Sequence, residues 1–299
     1  MGVLIRGIIE DIRKDKLSVS EKESILGYAL ILPALLLLIL TFGYPLLRNV
    51  FLSFHEVPVE LNAKPEYVGL EHFRTLISDP EFFIAFRNTI LFALASDLIA
   101  TLIGLGIALL FVKEFKGRRI ARGLMLLPYI APLIAVVFVW RLMWDPNWGI
   151  VSYFFSNILN IYGAQTDMSN SLVTLTVYEA WRYYPFAFLL ILARLQSIPN
   201  ELYEAAKMDG AGAFARFKDI TLPQLKYVLG TVFLIRWIWN FNTFADVWLF
   251  NPDLSVLAVF VYVQGFNQFN QGYAAAVSML MSLFLIVFSA IYVVWVIEW

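Results

Sequence analysis

The stretch EAAKMDGAGAFARFKDITLP, residues 204–223, sets six charged side chains among helix formers and interrupts them with Gly210 and Gly212. Just upstream, Pro199 suits a first helical turn, where its missing N–H has no partner to lose. Gly210 suits a helix stop, because it accepts positive φ freely. The spacing predicts one short helix over 199–209, with Leu202, Ala205 and Ala206 on one face and Glu204 and Lys207 on a wetter one. A second short helix follows over 213–220, with Phe214 and Phe217 one turn apart, before Pro223 opens the next hydrophobic run. An ordinary solvated loop would gain only about 0.2–0.5 kcal/mol from a Glu204–Lys207 pair, and it has no reason to display two phenylalanines to water. The helix pair reads as a piece shaped to fit a partner.

The rest of the chain says where that piece sits. The 299 residues are 60% apolar and 16% aromatic with only 15% charged, too apolar for the surface of a water-soluble domain. The chain reads as an all-α integral membrane protein. A bilayer requires on the order of 20 apolar residues per helix, and six stretches meet this: 27–54, 87–112, 123–144, 171–195, 224–250 and 272–299. A further apolar run, 254–266, is too short to span and reads as re-entrant or interfacial. Residues 1–26 form an amino-terminal tail and 27–299 the transmembrane domain. The apolar run after the tail is too long for a signal-peptide core, so it reads as an uncleaved first span. Within the tail, Ile5, Ile8, Ile9 and Ile12 recur at helical spacing, as in a short interfacial helix; a mobile cytoplasmic tail is the alternative.

Basic residues give an orientation. The tail has five (Arg6, Arg13, Lys14, Lys16, Lys22), segment 113–123 has five (Lys113, Lys116, Arg118, Arg119, Arg122), and 197–226 has four (Lys207, Arg216, Lys218, Lys226). The alternate loops carry three in all: Lys64, Arg74 and Arg87. This predicts a multi-pass protein of the cell membrane with both termini, and the 204–223 stretch, in the cytoplasm. The net charge of −1 gives no field for nucleic acid, and the absence of cysteine excludes disulfides and thiolate metal sites. With two histidines and no Ser/His/Asp set, neither a metal site nor an enzyme is expected.

The spacing Glu204-Ala205-Ala206, three residues, Gly210, nine residues, Ile220, one residue, Leu222-Pro223 resembles the cytoplasmic EAA loop of binding-protein-dependent ABC importer permeases. Met208-Asp209-Gly210-Ala211 and the run Phe217 to Pro223 are similar to the carbohydrate branch, of the maltose and glycerol-phosphate type. The likeness extends to Tyr44-Pro45, Tyr67-Val68-Gly69-Leu70, Asn88-Thr89, Leu127-Pro128, Asn240-Phe241-Asn242 and Gly272-Tyr273-Ala274-Ala275-Ala276. This resemblance implies an ABC importer permease fold and a coupling loop over 197–223 that docks on a separate ATPase. Glu204 would meet a basic residue there, Ala205 and Ala206 would allow close approach, and Gly210 would set the bend. Asp209, Phe214, Phe217, Leu222 and Pro223 belong to the same surface. The chain has no Gly-Lys pair, hence no phosphate-cradling loop; ATP and Mg are expected on the ATPase and no cofactor on this chain. The implied partners are a second permease subunit, two ATPase subunits and an extracytoplasmic sugar-binding protein. Two departures from the maltose type are visible: the segment after the first span lacks a large inserted domain, and after Leu249 the sequence runs directly into Phe250-Asn251-Pro252 without a glycine-rich segment.

Polar and aromatic residues inside spans mark a pathway. Trp181, Tyr183, Tyr184 and Phe186 surround Pro185 in the fourth span, and Trp239, Asn240, Asn242 and Thr243 lie in the fifth. Aromatic faces for sugar C–H groups and amides for hydroxyls are the chemistry a carbohydrate needs. The competing readings are interfacial belts, which suit Trp140, Trp144, Trp148 and Trp299 best, and interhelical glue for Asn240 and Asn242. Arg182 and Arg236 have Glu179 and Asp246 as candidate counter-ions. Tyr183 stands where maltose-type relatives can carry a smaller residue. A stand-alone ion-coupled transporter is the alternative function; it predicts inverted repeats, and none is evident.

Overall fold

In the computed structural model, residues 19–58, 64–155 and 171–297 are described. The chain starts with α1 (Val19–Leu38), which passes through a wide turn at Ile39–Gly43 into α2 (Tyr44–Ser53). A two-stranded antiparallel ribbon follows, β1 (His55–Glu56) and β2 (Glu66–Tyr67), pairing His55 with Tyr67. Next come α3 (Glu71–Ser78) and α4 (Pro80–Phe111). Then α5 (Arg118–Met125), α6 (Leu127–Ile130), α7 (Leu133–Met143) and α8 (Ile150–Tyr153) lead to α9 (Leu172–Gln196). The elbow helices α10 (Asn200–Met208) and α11 (Ala213–Arg216) precede α12 (Leu222–Phe241), α13 (Ala245–Phe250), α14 (Leu257–Tyr262) and α15 (Gln271–Tyr292).

Among the described residues, three helical runs are long and apolar enough to cross a membrane: Leu26–Ser53, Pro80–Phe111 and Gln271–Val296. The fourth and fifth predicted spans, α9 and α12, are long enough but carry Glu179, Arg182 and Arg236 in their interiors. The third predicted span, 123–144, is not one helix. It is divided at Leu126 and again at Ala131–Pro132, because Pro128 starts a new helical turn and Pro132 forces Ala131 into an extended conformation at ψ 143°. The fifth, expected to reach 250, stops at Phe241, and α13 is a separate piece. The second begins earlier than expected, at Pro80, where Asp79 caps the helix by accepting the Glu81 N–H at 2.8 Å. The short run 254–266 becomes α14 and its following turn, too short to span as expected. The predicted tail helix and Trp299 lie outside the described residues.

The core is organised by α4 against α9. Ala100, Gly104 and Ala108 repeat every fourth residue on α4 and join Ala180 and Ala187 of α9 in one buried cluster. A Cβ on Gly104 would sit 2.8 Å from the Ala187 Cβ and 2.8 Å from the Phe188 nitrogen. Small residues at helical spacing let two backbones approach where lipid supplies no hydrophobic drive. A second cluster joins α4 to α12 and α15 through Ala93, Trp237, Phe241 and Val277, and a third joins α7, α9 and α13 through Val137, Tyr178 and Phe250. The first span stays outside these clusters. Its carboxyl-terminal end rests on α15, where Asn49 donates to the Ala275 carbonyl at 3.5 Å, and the length before it is exposed apolar surface.

Candidate functional site

The 204–223 stretch folds into a bent helix pair whose bend is closed by backbone bonds. Ala211 N–H donates to the Ala206 carbonyl at 2.8 Å and Gly210 N–H to the Lys207 carbonyl at 3.0 Å. This is the two-bond Schellman closure, which requires a left-handed residue after the helix, and Gly210 supplies it at φ +80°. Pro199 caps α10 rather than lying in its first turn. The second helix also differs from expectation: α11 is four residues, and a wide turn over Phe217–Thr221 carries it without a break through Pro223 into α12. A proline in a helix clashes with the carbonyl four residues back, here Asp219, and widening the turn relieves that clash.

Three side chains brace the elbow and the helices that flank it. The Arg216 guanidinium donates to the Ala211 carbonyl, and the Tyr203 hydroxyl lies 3.0 Å from Thr221 Oγ1. Arg194, near the end of α9, donates through Nε to the Gln224 carbonyl at 3.0 Å and through Nη2 to Gln224 Oε1 at 2.6 Å. The elbow is thereby braced where α9 ends and α12 begins. Arg194 was not singled out in the sequence; an arginine in the last helical turn before a Pro-started helix is the signal that could have found it.

The elbow's outer surface is open. Glu204, Ala205, Asp209, Gly210, Leu222 and Pro223 are exposed, Ala206 and Phe217 are half-buried, and Met208 and Phe214 are 88% and 77% exposed. Phe217 is therefore not displayed beside Phe214 as the spacing suggested. Glu204 and Lys207, both exposed, form no ion pair with each other among the described residues.

The pathway residues separate into two groups. Tyr183, Phe186 and Trp239 gather, with ring centroids 4.9 Å apart for Phe186–Trp239 and 6.4 Å for Tyr183–Trp239. Tyr129 of α6 joins them at 5.8 Å from Tyr183. Trp181 instead packs on Trp140 at 5.5 Å. Tyr184 is buried and donates to the Met125 carbonyl at 3.1 Å. Asn240 is buried against α4, donating to the Ala93 carbonyl at 3.3 Å and to Ser96 Oγ at 3.1 Å. Asn242 is exposed, yet its amide donates to the Ile238 carbonyl at 2.8 Å, and the Thr243 hydroxyl donates to the Trp239 carbonyl at 2.9 Å. Trp148 is exposed, as a belt residue would be, while Trp144 is buried.

Behind the aromatic group lies a buried charge cluster. Arg236 Nη2 is 3.9 Å from Glu179 Oε2, and Arg182 Nε is 3.6 Å from Asp246 Oδ1. The Tyr178 hydroxyl donates to the same Asp246 oxygen at 2.7 Å. The Arg236 guanidinium carbon stands 4.2 Å over the Tyr183 ring, so this ring of the aromatic group rests on a cation. Asp97 of α4, buried and not anticipated from sequence, completes the cluster within electrostatic reach of Arg236.

Residues 100–296 match the family described as "Binding-protein-dependent transport system inner membrane component". The chain belongs to that family. The permease is 37% identical over 266 residues to the inner membrane ABC transporter permease protein YcjO of Escherichia coli (strain K12), covering 88% of this chain and 90% of that one. It is 32% identical over 285 residues to the trehalose/maltose transport system permease protein MalF of Thermococcus litoralis, covering 91% and 93%. In fold it is similar to a chain of the bacterial alginate ABC transporter solved in complex with an alginate pentasaccharide-bound periplasmic protein, with TM-score 0.75, 19% identity, and coverage of 91% and 93%. The all-α permease fold expected from sequence is thereby the right architecture, and a stand-alone ion-coupled carrier is set aside. The elbow lies within the matched segment.

Proposed function

We propose that this permease is the membrane subunit of an ATP-driven importer that moves a sugar delivered by an external binding protein. It pairs with a second permease subunit, and two ATPase subunits bind ATP and Mg and dock on the elbow. Both termini and the elbow face the cytoplasm. The observation that carries the reading is the elbow itself: Met208, Phe214 and Glu204 stand exposed on a bend that runs unbroken into α12 and is braced to the end of α9 through Arg194, in a chain with no nucleotide-binding loop. Movement imposed on that bend changes the relation of the two spans that carry Tyr183, Phe186 and Trp239. The names of the relatives support a carbohydrate, and an aromatic group with Tyr183 resting on Arg236 suits the apolar face of a sugar ring.

Trp239→Ala tests the pathway part. Uptake is expected to fall roughly tenfold, the scale of one lost aromatic stacking surface, while the complex purifies in normal yield. Asn240→Ala, by contrast, is expected to lower the yield of folded protein, because its amide joins α12 to α4. Normal uptake by Trp239→Ala contradicts the placement of the pathway.

A further inference from the structure

A cavity of about 710 Å³ lies away from the pathway, between the turn that follows α4, the helix α5 and the last residue of α9. Its lining includes Arg118, Arg119, Arg122, Ile120 and Gln196, with Glu114 as the one acidic contributor. The position of α5 is fixed, since Tyr184 of α9 bonds the Met125 carbonyl at 3.1 Å. Gln196 places the cavity on the same membrane side as the elbow, which begins four residues later.

The guanidiniums are poised but unsatisfied. Arg118 Nε and Nη2 and Arg122 Nε are shut off from water and have no hydrogen-bond partner. Desolvated charged donors without an acceptor are costly, and an anion in the cavity, toward which the guanidiniums can turn, relieves that cost. Arg118 and Arg122 share one face of α5 at four-residue spacing, while Ile120 and Leu124 occupy another and are exposed, Ile120 to 73%, with Leu127 of α6 exposed just beyond them. A short helix with cationic and apolar faces lies in the boundary of a bilayer. A free anion would leave the apolar face in water; an anion carrying acyl chains covers both.

We propose that this cavity holds the phosphodiester headgroup of an anionic phospholipid, with Arg118 and Arg122 as its forks and the chains lying along Ile120, Leu124 and Leu127. The proposal rests on the cytoplasmic orientation proposed above only for naming the leaflet. Lipid retention is measured without transport, so its failure leaves the importer reading untouched.

The test is native mass spectrometry of the assembled importer in neutral detergent, titrated with phosphatidylglycerol and separately with phosphatidylcholine. Preferential retention of phosphatidylglycerol is expected, weakened roughly tenfold or more in Arg118→Gln/Arg122→Gln. A control, Lys113→Gln/Lys116→Gln, removes the same charge from the same segment without touching the cavity lining and should retain the lipid. The single Arg118→Gln variant, expected to show a partial loss, serves if the double one misfolds. Equal loss in both double variants, no preference over phosphatidylcholine, or no lipid retained once the ATPase subunits are bound would overturn the proposal. Displacement of the lipid by excess inorganic phosphate would likewise overturn it, in favour of a free-anion site.

Discussion

Glu204→Lys is expected to abolish uptake and to strip the ATPase subunits from the purified permease, while membrane insertion and yield stay normal. The side chain is exposed, has no ion-pair partner among the described residues, and lies outside the buried clusters, so none of the described contacts of the permease depends on its charge. If it meets a basic residue of the ATPase, reversal replaces attraction by repulsion in a desolvated contact. Loss of such a pair costs on the order of 2–5 kcal/mol, about thirty-fold to several-thousand-fold in affinity. Co-purification of the subunits read by gel, together with uptake in membranes, checks this. A variant that keeps its ATPase subunits would remove Glu204 from the interface.

The second large effect is expected at Arg236. Arg236→Met leaves Glu179, which is fully buried, without its nearest cation. Breaking a buried pair on one side costs about 3–5 kcal/mol, whereas replacing both partners by groups of similar volume is often neutral. The single variant should therefore purify poorly and aggregate at a lower temperature, and Arg236→Met/Glu179→Leu should recover most of the lost stability. The remaining carboxylates make the recovery incomplete, because Asp97 also lies within reach of Arg236. A thermal aggregation curve for the three proteins decides the matter; equal curves for wild type and Arg236→Met would contradict the pairing.

The elbow was the most legible part of the sequence because its determinants are local. Pro199 and Gly210 act through their own backbone torsions, and the structure places α10 between them. The hydropathy of 123–144 was misleading for the opposite reason. An apolar window does not register that Pro128 and Pro132 divide it, although both prolines were there to be read. The pathway was only half legible. Neighbouring residues on a helix point about 100° apart, so Tyr183 and Tyr184 look alike in sequence yet one joins Trp239 and the other bonds Met125. Asn240 and Asn242, about 200° apart on the same count, separate in the same way, one against α4 and one outward. Tyr129 and Asp97 come from helices distant in sequence, and no spacing rule joins them to Tyr183 or Arg236 before the fold does.

The central claim is that this permease works through its elbow on energy supplied by another polypeptide. The most direct measurement is uptake of labelled sugar by proteoliposomes containing both permease subunits and saturated with the binding protein, with and without the ATPase subunits and internal ATP. The account predicts uptake only when both are present. Accumulation of sugar without them, driven by an ion gradient or by nothing added, would contradict it.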